Sequence, residues 1–351
     1  MSRRLSIILA TVGLLAIGGV LFALVARQGG SNSAAMAKTA AVDDPHRDPG
    51  LSKAARGRIL NAVDAVTSDV PTSELAAQGR VLFRSNSVTK TGEACQGCHT
   101  EGGSNSGDTP NTGSTGIGTI PHDPANVTLD GFNDFKGNRD APVLYGVGTS
   151  DPYGWAGDVP TLPDFALNAV TNHFLPQFRT PGNIAALVAY MDTFKAPTTD
   201  FDRGTMSDAA IRGQQVFQNQ GGCIGCHFGT NFTDGLRHDI GVPQPPGATD
   251  AGFGGPRSDG LQCGSPASNA KPDALNPSAC FFNTATLRGV SRTAPYFHNG
   301  IAKSLRQVVD FYDGDASCPG DPPPLSSVST IAPLRLSCQQ KADLVEFLKS
   351  L

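Results

Sequence analysis

The chain opens on Met1-Ser-Arg-Arg and then runs almost without interruption through apolar residues from Leu5 to Ala26, until Arg27 and a Gly/Ser/Asn stretch close the run. At about 1.5 Å per residue such a run is long enough to cross a bilayer as a helix, with Arg3 and Arg4 left on the cytoplasmic side. A small-x-small triplet at Ala35-Met36-Ala37 offers a cleavage site, although farther past the apolar run than is usual. The expectation is a signal peptide or membrane anchor over residues 1–30, with 5–26 as the anchoring stretch, and a body delivered to the periplasm. Residues 31–74 read as a tether, with a short helix around Ile59-Leu60.

Past the tether the apolar pattern repeats. Ala76, Gly79 and Phe83 are helix-spaced and recur as Ala210, Gly213 and Phe217, shifted by 134 positions. A glycine there would let a second helix approach closely. The amphipathic stretch Leu187-Val188-Ala189-Tyr190-Met191 is echoed by Leu344-Val345-Glu346-Phe347-Leu348. Between them Leu144, Gly146, Val147, Pro152, Tyr153, Gly157 and Leu162 return as Leu287, Gly289, Val290, Pro295, Tyr296, Gly300 and Leu305, shifted by 143. Identities at one offset argue for duplication of a structural unit. A Pro/Thr/Asp-rich link from Ala196 to Gly204 separates the copies, so two all-α domains are expected, over 75–200 and 201–351. With 41 Gly, 26 Pro and 7% aromatics, long irregular connections should join the helices. A net charge of -4 gives no general basic surface for gripping phosphate, which argues against a nucleic-acid partner.

Each copy carries one CxxCH motif: Cys95, Cys98 and His99 in the first, Cys223, Cys226 and His227 in the second. Two thiols one helical turn apart can add to the two vinyl groups of haem, and the next residue, His, then faces the iron. A zinc site or a redox dithiol would need no His after the second Cys in both copies. The expectation is two covalently bound c-type haems in tandem cytochrome c-type domains, with His99 and His227 as proximal ligands. Cys263, Cys280, Cys318 and Cys338 remain, and three pairings can be drawn among them. Neighbour pairing, Cys263 with Cys280 and Cys318 with Cys338, is favoured because it would pin two loops of a small haem domain.

The stretch from Phe282 through Arg292-Thr-Ala-Pro-Tyr-Phe-His298-Asn-Gly300, and that from Cys226-His-Phe-Gly through Asp234-Gly-Leu-Arg-His238 to Gly241, resemble the second domain of bacterial di-haem cytochrome c peroxidases and their MauG relatives. The resemblance covers about 75–351 and is looser in the first half. In the peroxidases a Met fourteen residues after the motif His ligates the C-terminal haem; MauG-type members carry Tyr there, and here the position is Tyr312. A phenolate would donate charge to the iron and lower its potential. The duplication places Trp155 where the second copy has His298, and fourteen residues on stands Ala169, which cannot ligate. The N-terminal haem is therefore the expected site of reaction. In the family the Trp at this place lies between the haems and helps electrons cross, a role that would fall on Trp155; a packing role is the alternative.

The family's distal Gln and Glu fall on Phe165 and Leu175, which can do no acid-base work. His173 and His122 are the candidate substitutes, and both also read as surface histidines. The resemblance further implies a calcium ion held through Asp140 and the backbone carbonyls of Thr293 and Pro295. It implies a peroxide-using oxidoreductase whose electrons come from a small cytochrome c or cupredoxin, or from a protein substrate; a non-catalytic electron-transfer cytochrome is the alternative. Membrane contact is expected through the N-terminal anchor only.

Overall fold

The computed structural model describes residues 51–351 apart from 91, 93, 100–138, 140, 141, 145, 150 and 245–249. The expected signal or anchor, residues 31–50 of the tether, His122 and Asp140 lie outside the described residues, as does the side chain of Cys98. Among the described residues no helix is long and apolar enough to cross a membrane.

The main helices are α1 (Lys53–Asp69), α2 (Thr72–Arg84), α3 (Leu162–His173), α4 (Pro181–Met191), α5 (Asp208–Gln218), α6 (Leu305–Asp313) and α7 (Cys338–Lys349). The helix read around Ile59-Leu60 runs for 17 residues. Its Ser52 cap accepts from the Ala55 amide, and Ile59, Leu60, Val63 and Val66 share a face that packs on the first core, with Val63 only 1% exposed. Among the described residues, sheet is confined to one antiparallel pair, β1 (Arg237–His238) against β2 (Phe282–Asn283), with Arg237 opposite Asn283. The expected helix-rich architecture holds, with this small pair as an addition.

The duplication read from the sequence is visible in the backbone. A Cβ on Gly79 of α2 would lie 1.9 Å from the carbonyl oxygen of Ala186 in α4, and one on Gly213 of α5 would lie 1.9 Å from that of Asp343 in α7. Both helix pairs cross where the glycine removes the side chain. Beside each crossing an edge-on aromatic contact seals the core, Phe83 with Tyr190 at 5.5 Å and Phe217 with Phe347 at 5.1 Å. Thr161 and Ser304 occupy matching places and cap α3 and α6. The turns before them match too, closed by bridges Tyr153–Val159 and Tyr296–Ala302. Among the described residues, the buried apolar side chains form one cluster from Val63 to Phe194, another from Val216 to Leu351, and a small third around Cys263, Ala279 and Cys280.

Disulfides join Cys263 to Cys280 and Cys318 to Cys338, the neighbour pairing. The second links the loop after α6 to the start of α7. The last turn of α6, the negative end of its dipole, carries the buried carboxylates of Asp310 and Asp313. Lys341 of α7, 0% exposed, offsets them at 3.1 and 2.9 Å.

Candidate haem sites

The second motif folds as a tight turn. Residues Cys223–Gly225 form a 3-10 helix entered through Gly222 at φ 62°, and the His227 amide closes the turn on the Cys223 carbonyl at 2.9 Å. Neither Cys223 nor Cys226 takes part in a disulfide. The Nδ1 of His227 lies 2.9 Å from the Phe232 carbonyl oxygen, which can only accept. Nδ1 therefore carries the proton, and the Nε2 lone pair is available to a metal. Burial lowers the His227 pKa, so the ring is neutral and fit to ligate.

Cys223, Cys226 and His227 open onto a cavity of about 1490 Å³, its mouth included, walled by apolar side chains such as Phe217, Leu305 and Leu344. Tyr312 of α6 lines the same cavity. Burial pushes its phenol pKa up, and the neighbouring Cys223 and Cys226 thiols add to the effect. Two thiols, a neutral imidazole and a buried phenol around an apolar void are the donor set and the walls that a covalently attached haem needs, so the residues present fit the group.

The first motif repeats the closed turn and the fixed tautomer. Cys95–Cys98 is a single helical turn, closed by the His99 amide on the Cys95 carbonyl at 2.9 Å. Nδ1 of His99 donates to the Pro142 carbonyl at 3.1 Å, again leaving Nε2 with its lone pair. Burial, and then the nearby His173, bring the His99 pKa down to about 4 against the opposing bond to Pro142. His173 is thus brought close to the first motif, at the end of α3. Its own pKa is lowered by burial and then by the charge of Lys90. Ala169 stands one turn earlier on α3, where α6 has Tyr312. Phe165 packs against the Tyr153 ring at 6.0 Å, and the Leu175 amide bonds to the Val88 carbonyl at 2.9 Å.

Between the copies, Trp155 meets His298 edge-on, with ring centroids 6.5 Å apart and planes at 70°. His298 in turn stacks flat on Phe282 at 3.6 Å and 7°. Burial takes its pKa down to about 3, and the neutral Nε2 accepts from the Gln244 amide at 3.1 Å. Asp250 lies behind it, held by Arg139 at 2.8 Å. Thr293 and Pro295 line the second cavity. Sequence reasoning gave no role to Gln244, to the Phe282 stack, or to the pair Asp234–His238, bonded at 2.8 Å beside the Cys226 sulfur. The last carried a signal, since Asp and His four apart inside a recognised motif can meet; the first two unite residues far apart in sequence.

No family model matches the chain. It is 28% identical over 229 residues to the cytochrome-c peroxidase IdrP1 of Pseudomonas sp. (strain SCT), a match covering 58% of this chain and 58% of that protein. It is 30% identical over 173 residues to the methylamine utilization protein MauG of Methylorubrum extorquens, covering 48% of this chain and 43% of MauG. The chain thus spans about half the length of these curated relatives. In fold it is similar to a MauG-like protein associated with microbial copper homeostasis, with a TM-score of 0.56 at 21% identity over 79% of this chain and 88% of that one. The resemblance to di-haem cytochrome c peroxidases and MauG carried by the motifs is borne out.

Proposed function

We propose that this relative of the cytochrome c peroxidases and MauG is an exported di-haem oxidoreductase that reduces hydrogen peroxide at the N-terminal haem with electrons passed through the C-terminal haem. The haems supply redox-active iron when bound. The chain's residues do the rest: His99 and His227 offer Nε2 to the metals from fixed tautomers, and Tyr312 offers its phenolic oxygen from the lining of the second cavity. Trp155 stands at the seam between the copies. His173 beside the first motif, and His122 outside the described residues, are the candidates for moving protons. A calcium ion on Asp140 and the carbonyls of Thr293 and Pro295, a periplasmic location, and a small cytochrome c or cupredoxin as donor complete the reading.

The observation that carries it is the asymmetry of two copies of one fold, with Tyr312 in the second cavity and Ala169 at the matching helix position. The second copy would have a phenol to offer the haem it holds, whereas the matching helix position of the first carries only a methyl group. Rapid mixing of the diferric holoprotein with peroxide tests it. The N-terminal haem spectrum should change within the mixing experiment without prior reduction; no change at either haem sinks the proposal. Phe165 and Leu175, which cannot move protons, favour a second reading as a non-catalytic electron carrier. That reading expects two low-spin haems indifferent to peroxide.

A further inference from the structure

The turn that presents Trp155 belongs to the first copy but is gripped by the second. The Asn283 amide donates to the Trp155 carbonyl at 2.8 Å, and the Asn283 side-chain Nδ2 donates to the Pro152 carbonyl at 2.9 Å. Arg237 Nε donates to the Ala156 carbonyl at 2.8 Å, and its terminal nitrogen donates to the Gly157 carbonyl. Four carbonyls around one indole are thus held by two residues that face each other across the β1–β2 pair. The fit is close: Gly157, at φ 60°, leaves space in which a Cβ would come within 3.1 Å of Arg237 Nε and 3.2 Å of the Asn283 Cβ. Arg237 is itself fixed from the other side, its guanidinium 3.9 Å from the Phe253 ring centroid.

The same strand pair controls the other partner. Phe282, the neighbour of Asn283 in β2, is the ring on which His298 stacks at 3.6 Å. One short strand therefore fixes the Trp155 backbone through one residue and the His298 ring through the next. The matching turn of the second copy is served from within that copy, where Lys303 Nζ donates to the Gly300 carbonyl at 2.6 Å.

We propose that Arg237 and Asn283 are positioning residues that hold Trp155 in register with His298, and so set the contact through which the copies exchange electrons. The second half of that statement rests on the proposed function; the first does not. Guanidinium-to-carbonyl and amide-to-carbonyl bonds are directional, so losing either should let the turn shift, and misplacement of about 1 Å is enough to change coupled chemistry by orders of magnitude.

Trp155 is the only tryptophan in the chain, so its fluorescence reads its own position. The variants Arg237→Met, Arg237→Lys and Asn283→Ala are compared in the full-length holoprotein with Asn231→Ala. The last removes another bond from second copy to first, Asn231 Nδ2 to the Thr149 carbonyl at 3.0 Å, away from the Trp155 turn. Arg237→Met should raise Trp155 emission severalfold by easing its quenching, and slow electron transfer between the haems by roughly tenfold or more; Asn283→Ala, which keeps the main-chain bond to Trp155 and loses only the Nδ2 bond to Pro152, should do both to a smaller extent. Arg237→Lys should recover part of both, and Asn231→Ala should alter neither. If Arg237→Met and Asn283→Ala leave the emission where Asn231→Ala leaves it, the positioning role is overturned. Should emission rise while the inter-haem rate stays the same, positioning stands and the electron-bridging part of the proposed function falls. If Arg237→Met fails to take up haem, Asn283→Ala and Arg237→Lys carry the comparison.

Discussion

Because a carbonyl oxygen can only accept, Pro142 and Phe232 dictate which nitrogen of His99 and His227 keeps its proton, and burial removes the alternative of a charged ring. The same burial acts the other way on Tyr312, pushing its phenol towards the neutral form, so a cation in the cavity is needed to draw off that proton. In the holoprotein Tyr312→Phe is expected to turn a six-coordinate low-spin signal at the C-terminal haem into a high-spin or water-ligated one, and to raise its potential. Electron paramagnetic resonance with a redox titration checks this; an unchanged low-spin signal assigns the ligand to another residue. His238 supplies a pH-dependent counterpart. Asp234 first, and then the Cys226 sulfur, raise its pKa from 6.5 to about 10. A group raised on folding contributes stability that is complete below its unfolded pKa and is lost as pH climbs through the folded one. The melting temperature of His238→Gln should therefore fall below that of the parent by most near about pH 6, and the gap should narrow as pH climbs through the folded pKa, which lies below about 10 in the holoprotein because a thioether at Cys226 no longer adds to it. A gap independent of pH across that window would count against the Asp234 pairing.

At the level of helices, Gly79 and Gly213 were readable as close-approach positions because glycine is a poor helix former, and a repeat that keeps it inside a helix twice gains something from the missing side chain. Each replaces a side chain by a neighbour's carbonyl oxygen, and backbone cannot swing aside as a side chain would. Gly to Ala in a helix usually gains up to about 1 kcal/mol. Overpacking of about 1–3 kcal/mol or more should outweigh that here, so Gly79→Ala and Gly213→Ala should each lower the melting temperature. A rise in either would show that the crossing can relax. The α6–α7 contact was hidden from the sequence, since nothing in Lys341, Asp310 and Asp313 announces that they meet. Lys341→Met leaves two carboxylates buried at a helix C-terminus, with Arg306 still 3.2 Å from Asp310. A loss of about 3–5 kcal/mol is expected in denaturant unfolding of the holoprotein. A loss under about 1 kcal/mol would mean that water reaches the cluster.

For the whole molecule, the legible features were those that repeat or that local spacing dictates: CxxCH twice, the 143-residue shift, the neighbour disulfides and the position of Tyr312. The illegible ones lie where the copies touch, since Arg237, Asn283 and Gln244 act on residues far away in sequence. Among the described residues the apolar clusters stay within their own copies, and the second cavity takes only Val143 and Trp155 from the first. Its motif, its phenol and nearly all its walls thus come from residues after Val216. A site so nearly self-contained should assemble when the other is empty. Replacing Cys95 and Cys98 together by Ala should give a protein with one haem per chain by pyridine haemochrome assay, still showing the spectrum assigned to Tyr312 ligation. That spectrum should shift slightly, because Trp155 and Val143 sit on a copy that has lost its own haem. A product with no haem would mean that the second cavity forms only on a filled first copy, and the seam at Trp155 would then be a folding contact before it is anything else.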